Sequence, residues 1–299
     1  MSTQWILLDS AVCFRVSGKD SRRYLHNRLS QDIRALAPGG SALAAALSAQ
    51  GRVEGVFSVF CEADDRFIVV CDGGDPESLA NILKRFLVAD RVTVQDISAE
   101  VCVVHVATDE SSTLQRIFAG SQASVCCIPR GRIANDGVDL IVNSQDREMI
   151  ARVLTRELGQ SISLERYNYL RWRAGCAVFP DEINDQGMLL EYGLRDAVSF
   201  AKGCYVGQEV VERSDAIGKV PRHLERIVLE GGDSVGVGSS ISTAAGEALG
   251  KVVGEVHVAN QGEAYLFALL RVGKYKGNDP VVCGDRRGVI VSREGGGNE

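Results

Sequence analysis

The sequence lacks any apolar run near the roughly 20 residues that a membrane-crossing helix needs; runs such as ALAAAL, ending at Leu47, fall far short. Its start, MSTQWILLDS, has no basic segment ahead of a long apolar stretch, so secretion is not expected and the cytoplasm is the default location. No run of five like charges occurs and the net charge is −6, which excludes a large electrostatic footprint for duplex nucleic acid. CxxC pairs are missing too: nine cysteines, an odd number, are scattered from Cys13 to Cys283, so neither a disulfide framework nor a zinc ribbon is expected. Most should be reduced and buried as small apolar residues, with Cys126 and Cys127 the only adjacent pair. Histidine is scarce, and His26, His105, His223 and His257 stand far apart. With no HExxH, GxSxG, Walker loop or strand-borne GxGxxG, a zinc hydrolase or nucleotide enzyme has no support, and no metal site is expected.

What is present is an ordinary globular composition, 45% apolar and 24% charged over 299 residues, enough for two or three domains. Leu25, Leu29 and Ile33 recur at fourfold spacing and predict a helix after the polar lead-in Ser-Gly-Lys-Asp, with a strand, CFRV, before it. GRVEGVFSVF and DRFIVVC predict a hairpin that turns at Ala63, Asp64 and Asp65. Asp75 as cap and Pro76 in the first turn open a helix whose stripe runs through Leu79, Ile82, Leu83, Phe86 and Leu87. Strands RVTVQDI and VCVVHVA follow, then a helix LQRIFAG, a strand VDLIV, and a helix from Asp146 stopped by Gly159. Elements alternate without strict βαβ regularity, which favours α+β. Beyond Pro221, short strands between glycine-rich turns predict a small antiparallel barrel or sandwich, and the tail REGGGNE is expected to be disordered.

The stretch AKGCYVGQEVVER, Ala201 to Arg213, concentrates chemistry. A thiol reacts as its thiolate, which Lys202 and Arg213 would favour if the fold turns them toward Cys204. Gly203 and Gly207 let the backbone turn tightly and present the sulfur at a loop tip. Gln208 and Glu209 add an amide and a carboxylate nearby. A plain tight turn, with Cys204 filling a gap and Lys202 and Glu209 solvated, accounts for the same residues. One thiolate does not hold an iron–sulfur cluster alone, since such clusters ordinarily take about four cysteine ligands.

K-G-C-Y-x-G-Q-E, matched from Lys202 to Glu209, resembles the signature of the YgfZ family, folate-binding proteins of the glycine cleavage T-protein superfamily that assist iron–sulfur enzymes. SGKDSRRYLHNRLSQDI resembles the superfamily's amino-terminal helix, ALAAALSAQGRV the following strand and glycine turn, and YLRWRAG its R-x-(E/R)-A-G segment, all in the family's order. The resemblance implies an α+β, three-domain aminomethyltransferase-like fold around a central folate-sized opening. Residues 1–40 and 100–160 would form the first domain, 41–99 and 161–218 the second, and 219–299 a C-terminal β-barrel with its tail. It implies tetrahydrofolate or a derivative as cofactor, iron–sulfur or cluster-assembly proteins as partners, and a monomer. Cys204 would be the working thiol, with Lys202, Tyr205, Gln208, Glu209 and Arg213 around it, and Asn27, Asp32 and Arg173 are the candidate folate contacts.

Two departures bear on turnover. Where aminomethyltransferases carry a catalytic aspartate pair the sequence reads Glu54 and Gly55, and glycine has no side chain to handle a proton. Where they carry a pterin-binding glutamate it reads Arg173, which cannot accept hydrogen bonds. Three readings stand: a folate-binding accessory protein for iron–sulfur enzymes acting through Cys204, a folate-dependent aminomethyl- or methyltransferase, and a non-catalytic docking module.

Overall fold

The computed structural model describes residues 3–108, 117, 125–133, 136–231, 234–256 and 262–291. Strands β1 (Gln4–Leu7), β2 (Val12–Ser17), β3 (Ser41–Leu47), β4 (Val53–Ala63), β5 (Arg66–Cys71), β6 (Thr93–Asp96), β7 (Val101–Ala107), β8 (Val125–Pro129) and β9 (Val138–Asn143) make two antiparallel sheets, ordered β3-β4-β5-β2-β6 and β1-β7-β9-β8. Helices α1 (Ser21–Arg28) and α2 (Pro76–Lys84) cover the first sheet, and α3 (Arg147–Leu158) covers the second. The hairpin β4–β5 turns at Asp64 and Asp65, as the polar break in the sequence predicts.

Side-chain alternation explains the layering. Along β5, Phe67, Val69 and Cys71 pack with Leu25 of α1 and Leu79 and Leu83 of α2, while Ile68 and Val70 face Ile6, Val103 and Ile141 of the second sheet. Its far face, Val104, Val106, Leu140 and Val142, receives Ile150 and Leu154 of α3. The central strands are therefore covered on both faces and read as nearly continuous apolar runs, while the edge strands β6 and β8 stay partly exposed. Between the sheets sits a buried charged cluster. Arg132 donates to both oxygens of Asp139 and to Asp72, Arg130 donates to Asp72 and to the Ser58 hydroxyl, and His105 Nδ1 lies 2.9 Å from Asp139.

Three sequence expectations are corrected. Strand β2 pairs with β5 and β6, so a domain boundary at residue 40 falls within one sheet: the apolar faces of Phe14 and Val16 belong to its core. Helix α1 stops at Arg28, because Leu29 is extended and bridges to Ala46; Leu29 and Ile33 reach the same core from outside the helix. Helix α2 keeps its Asp75 cap, whose carboxylate accepts from Ser78 N at 2.8 Å, but ends at Lys84. Phe86 then takes a left-handed φ of 74° and is 62% exposed instead of continuing the stripe. The predicted helix LQRIFAG, apart from Ile117, and the tail REGGGNE lie outside the described residues.

Helix α4 (Leu164–Arg173), capped by the Ser163 hydroxyl, and helix α5 (Gln208–Ile217) lead into β10 (Arg222–Glu230), β11 (Ser240–Thr243), β12 (Ala248–Val256), β13 (Glu263–Arg271), β14 (Pro280–Cys283) and β15 (Arg286–Val291). These six strands close an antiparallel barrel around Ile227, Ile241, Leu266 and Leu270. A separate core joins barrel, α4 and the first sheet: Trp172 donates to the Leu266 carbonyl, and Leu47, Val56, Tyr205 and Val211 pack with Phe267 and Leu269. Among the described residues no helix is long and apolar enough to cross a membrane.

Candidate functional site

The Ala201–Arg213 stretch docks against the end of α1. Lys202 is buried, and its ammonium donates to the carbonyls of His26, Leu29 (2.6 Å) and Gln31 (2.9 Å). These are carbonyls at and just beyond the helix C-terminus, where a cation complements the dipole and supplies donors the helix lacks. Its Nζ also stands 4.9 Å from the centre of the Tyr205 ring. Burial pushes Lys202 down to about 8. The expectation that Lys202 activates the thiol is corrected accordingly: its three donors are engaged by backbone, and it fastens the cysteine loop to α1.

Tyr205 anchors the loop from the other side. Its ring belongs to the core between sheet and barrel, its hydroxyl is buried with no hydrogen-bond partner among the described residues, and burial pushes it up to about 12. Gln208 Oε1 accepts from Tyr205 N, and Gln208 Nε2 donates to Glu212. Gly207 has φ 84°, and a Cβ there would fall 2.7 Å from the Ser48 carbonyl and 3.0 Å from Leu47 Cβ. A Cβ on Gly51 would fall 2.8 Å from Val210, so the two glycine turns that resembled family motifs pack directly on each other. Gly203 takes no such conformation and meets nothing within 4 Å, so the expectation that it forms the tight turn is corrected.

With its flanks tied down, Cys204 is left exposed on the wall of an open cleft of about 540 Å³. The rest of that wall comes from His26, Asn27, Arg34, Gly203, Tyr205 and Val206. The volume suits a small molecule. Glu209 and Arg213 are exposed on α5, and no described contact brings either to Cys204. Asn27 is exposed on the cleft wall. Asp32 stands behind it: Oδ1 accepts from the backbone N–H of Arg34 and Ala35 and lies 3.1 Å from His26 Nδ1. Arg173 is separate; its side chain is exposed at the end of α4 and its carbonyl accepts from Arg226.

His26 and Arg34 were missing from the sequence-derived site. Both sit within the segment that resembles the amino-terminal family helix, but nothing local says that this helix end meets residues about 175 positions later. The other thiols differ from Cys204. Cys13, Cys61, Cys71 and Cys283 are buried, and burial pushes Cys13 and Cys71 up to about 12. Cys126 and Cys127 alternate in and out along β8, so Cys127 is also exposed, its thiol pushed up by partial burial. Among the described residues no group of three His, Cys, Asp or Glu side chains is placed to hold a metal.

The position compared with a catalytic aspartate pair has no free carboxylate. Glu54 is paired with Arg28 at 3.0 Å and with Arg85, and a Cβ on Gly55 would strike the Phe57 ring at 2.7 Å.

Residues 8–133 match the model of the GCVT N-terminal domain. The chain is 27% identical over 301 residues to the mitochondrial iron–sulfur cluster assembly factor IBA57 of Mus musculus, covering 90% of this chain and 78% of that one. It is 24% identical over 232 residues to the tRNA-modifying protein YgfZ of Colwellia psychrerythraea, covering 74% and 70%. The glycine cleavage system aminomethyltransferase T of Bartonella henselae superposes with a TM-score of 0.78 at 14% identity, covering 98% of this chain and 85% of that one. The last of these establishes the fold, with its six-stranded barrel at the C-terminus.

Proposed function

Because the chain belongs to the glycine cleavage T-protein superfamily as a YgfZ-type member, we propose that it is a folate-binding accessory protein for the assembly or repair of iron–sulfur enzymes, acting through the thiol of Cys204. The relatives named for cluster assembly and tRNA modification support the process, and the single observation that carries the mechanism is the exposed Cys204 on a small-molecule-sized cleft, held by Lys202 and Tyr205. In this reading Lys202, Tyr205 and Gln208 position the loop, and Asn27 offers the amide that hydrogen-bonds a folate ring. Folate, when bound, would supply a one-carbon carrier; the chain's own part is to present one nucleophilic sulfur to a partner carrying iron or sulfur. Its place of action is the cytoplasm and it works as a monomer.

A transferase reading is weaker on one observation: Glu54 is neutralised between two guanidinium groups, and Gly55 has no room for an acidic side chain beside Phe57. Deleting the gene tests the proposal. Iron–sulfur enzymes should lose activity while cluster-free enzymes keep theirs, and an even loss or none contradicts it. Calorimetry with tetrahydrofolate tests the ligand separately: no heat removes folate from the account.

A further inference from the structure

Arg34 and His26 bring to the cleft two features that the role above leaves unused. Arg34 is exposed on the wall, and its guanidinium has no ion-pair or hydrogen-bond partner among the described residues. His26 is 4% exposed, with Nδ1 buried 3.1 Å from Asp32 Oδ1 but outside hydrogen-bond geometry, and Nε2 is without a partner. Desolvation, then the neighbouring Lys202, hold its pKa below the usual value, with Arg34 acting the same way and Asp32 opposing. At neutral pH it is an uncharged imidazole on the same cleft wall as Cys204. Arg34 brings a positive charge to this wall, and among the residues that line it none is an Asp or a Glu.

We propose that the cleft admits small anionic disulfides of the glutathione class, and that Cys204 is reversibly capped by them, Arg34 holding a ligand carboxylate and His26 receiving the thiol proton. This rests on the reading above only in taking Cys204 as the working thiol. The Cys204 proton passes to His26, the thiolate attacks one sulfur of the ligand, and a new S–S bond forms as the ligand's own S–S bond breaks. The departing thiolate takes up the proton, so one thiol and one disulfide give one mixed disulfide and one thiol. No other oxidant is consumed, and a second small thiol reverses the step. Guanidinium pairs with carboxylate more specifically than an ammonium does, which fits Arg34 to such a ligand.

The test follows adduct formation on the intact chain by peptide mass spectrometry at pH 7 and low ionic strength. The probes are oxidised glutathione, hydroxyethyl disulfide and cystamine, which are anionic, neutral and cationic. Each rate at Cys204 is divided by the rate of the same disulfide with N-acetylcysteine amide. The anionic disulfide should lead the neutral one by about fivefold, the scale of one exposed ion pair, and cystamine should be slowest. High salt or Arg34→Gln should erase the order. His26→Asn should slow all three at Cys204 severalfold and leave Cys127 unchanged, which also reports that the variant is folded. Equal normalised rates, or an order that survives Arg34→Gln, overturn the anion site; unchanged rates in His26→Asn overturn its proton role. Rescue of iron–sulfur enzymes by a Cys204→Ala chain would sink the earlier reading without altering any of these rates.

Discussion

Lys202 Nζ lies 2.6 Å from the carbonyl oxygen of Leu29, 173 residues earlier in the chain. With the His26 and Gln31 carbonyls, that contact makes one ammonium both the cap of α1 and the clamp of the cysteine loop. Lys202→Met keeps the bulk of the stem and removes every donor. Buried carbonyls without partners cost about 1–3 kcal/mol each, and fraying of the helix end relieves part of that, so a loss of about 2–4 kcal/mol is expected. Urea unfolding measures it, and a change below about 0.5 kcal/mol contradicts the clamp.

Gly207→Ala and Gly203→Ala form a matched pair. The first places a Cβ at φ 84° and 2.7 Å from the Ser48 carbonyl, and should cost at least about 1–2 kcal/mol. The second meets nothing within 4 Å and should be nearly neutral. Equal effects on the thermal midpoint contradict the packing of the two glycine turns.

Acid should weaken the chain through the cluster between its sheets. Burial alone would raise Asp72 and Asp139, but Arg130 and Arg132 act on Asp72, and Arg132 with the His105 hydrogen bond on Asp139, and hold both carboxyls below the usual range. Their folded pKa values lie below the unfolded ones. The stability they contribute is therefore complete above about pH 5 and lost as pH falls through the folded values. Urea midpoints from pH 7 to pH 3 should fall steeply below about pH 4, and Arg132→Met should flatten that fall while costing about 3–5 kcal/mol at pH 7, because it leaves buried Asp139 without its guanidinium and Asp72 with Arg130 alone. A flat acid limb in the parent chain contradicts the assignment.

Gly55→Asp tests whether the transferase reaction was lost through one side chain. The new Cβ requires the Phe57 ring to move, so the variant should be destabilised by about 1–3 kcal/mol. It should show no aminomethyl transfer from a lipoyl-type donor to tetrahydrofolate. Measurable turnover would make the single position the cause.

Much of this was legible because the determinants were local. Asp75 announces its cap by type and spacing, the hairpin by its Asp64–Asp65 break, and the barrel by short apolar runs between glycines. The thiol of Cys204 was found through its neighbours in sequence, and it is exposed as that reading requires. What escaped depends on distant partners. Nothing within residues 201–213 distinguishes a lysine that activates sulfur from one that caps a helix about 175 residues away. The α1 end is set by the bridge of Leu29 to Ala46, and the fate of Phe86 by the backbone beyond Lys84; an apolar stripe that continues through both ends hides them. His26 and Arg34 carry no motif of their own and become part of the cleft only once Lys202 has brought the two segments together.

The central claim is that the Cys204 thiol, and not exposed cysteine in general, does the work. Cys127 supplies the control, since it is the other exposed thiol among the described cysteines. In cells lacking the gene, chains carrying Cys204→Ala or Cys127→Ala, matched for abundance and thermal midpoint, are compared for recovery of iron–sulfur enzyme activity. The account predicts no recovery with Cys204→Ala and full recovery with Cys127→Ala; full recovery with both would contradict it.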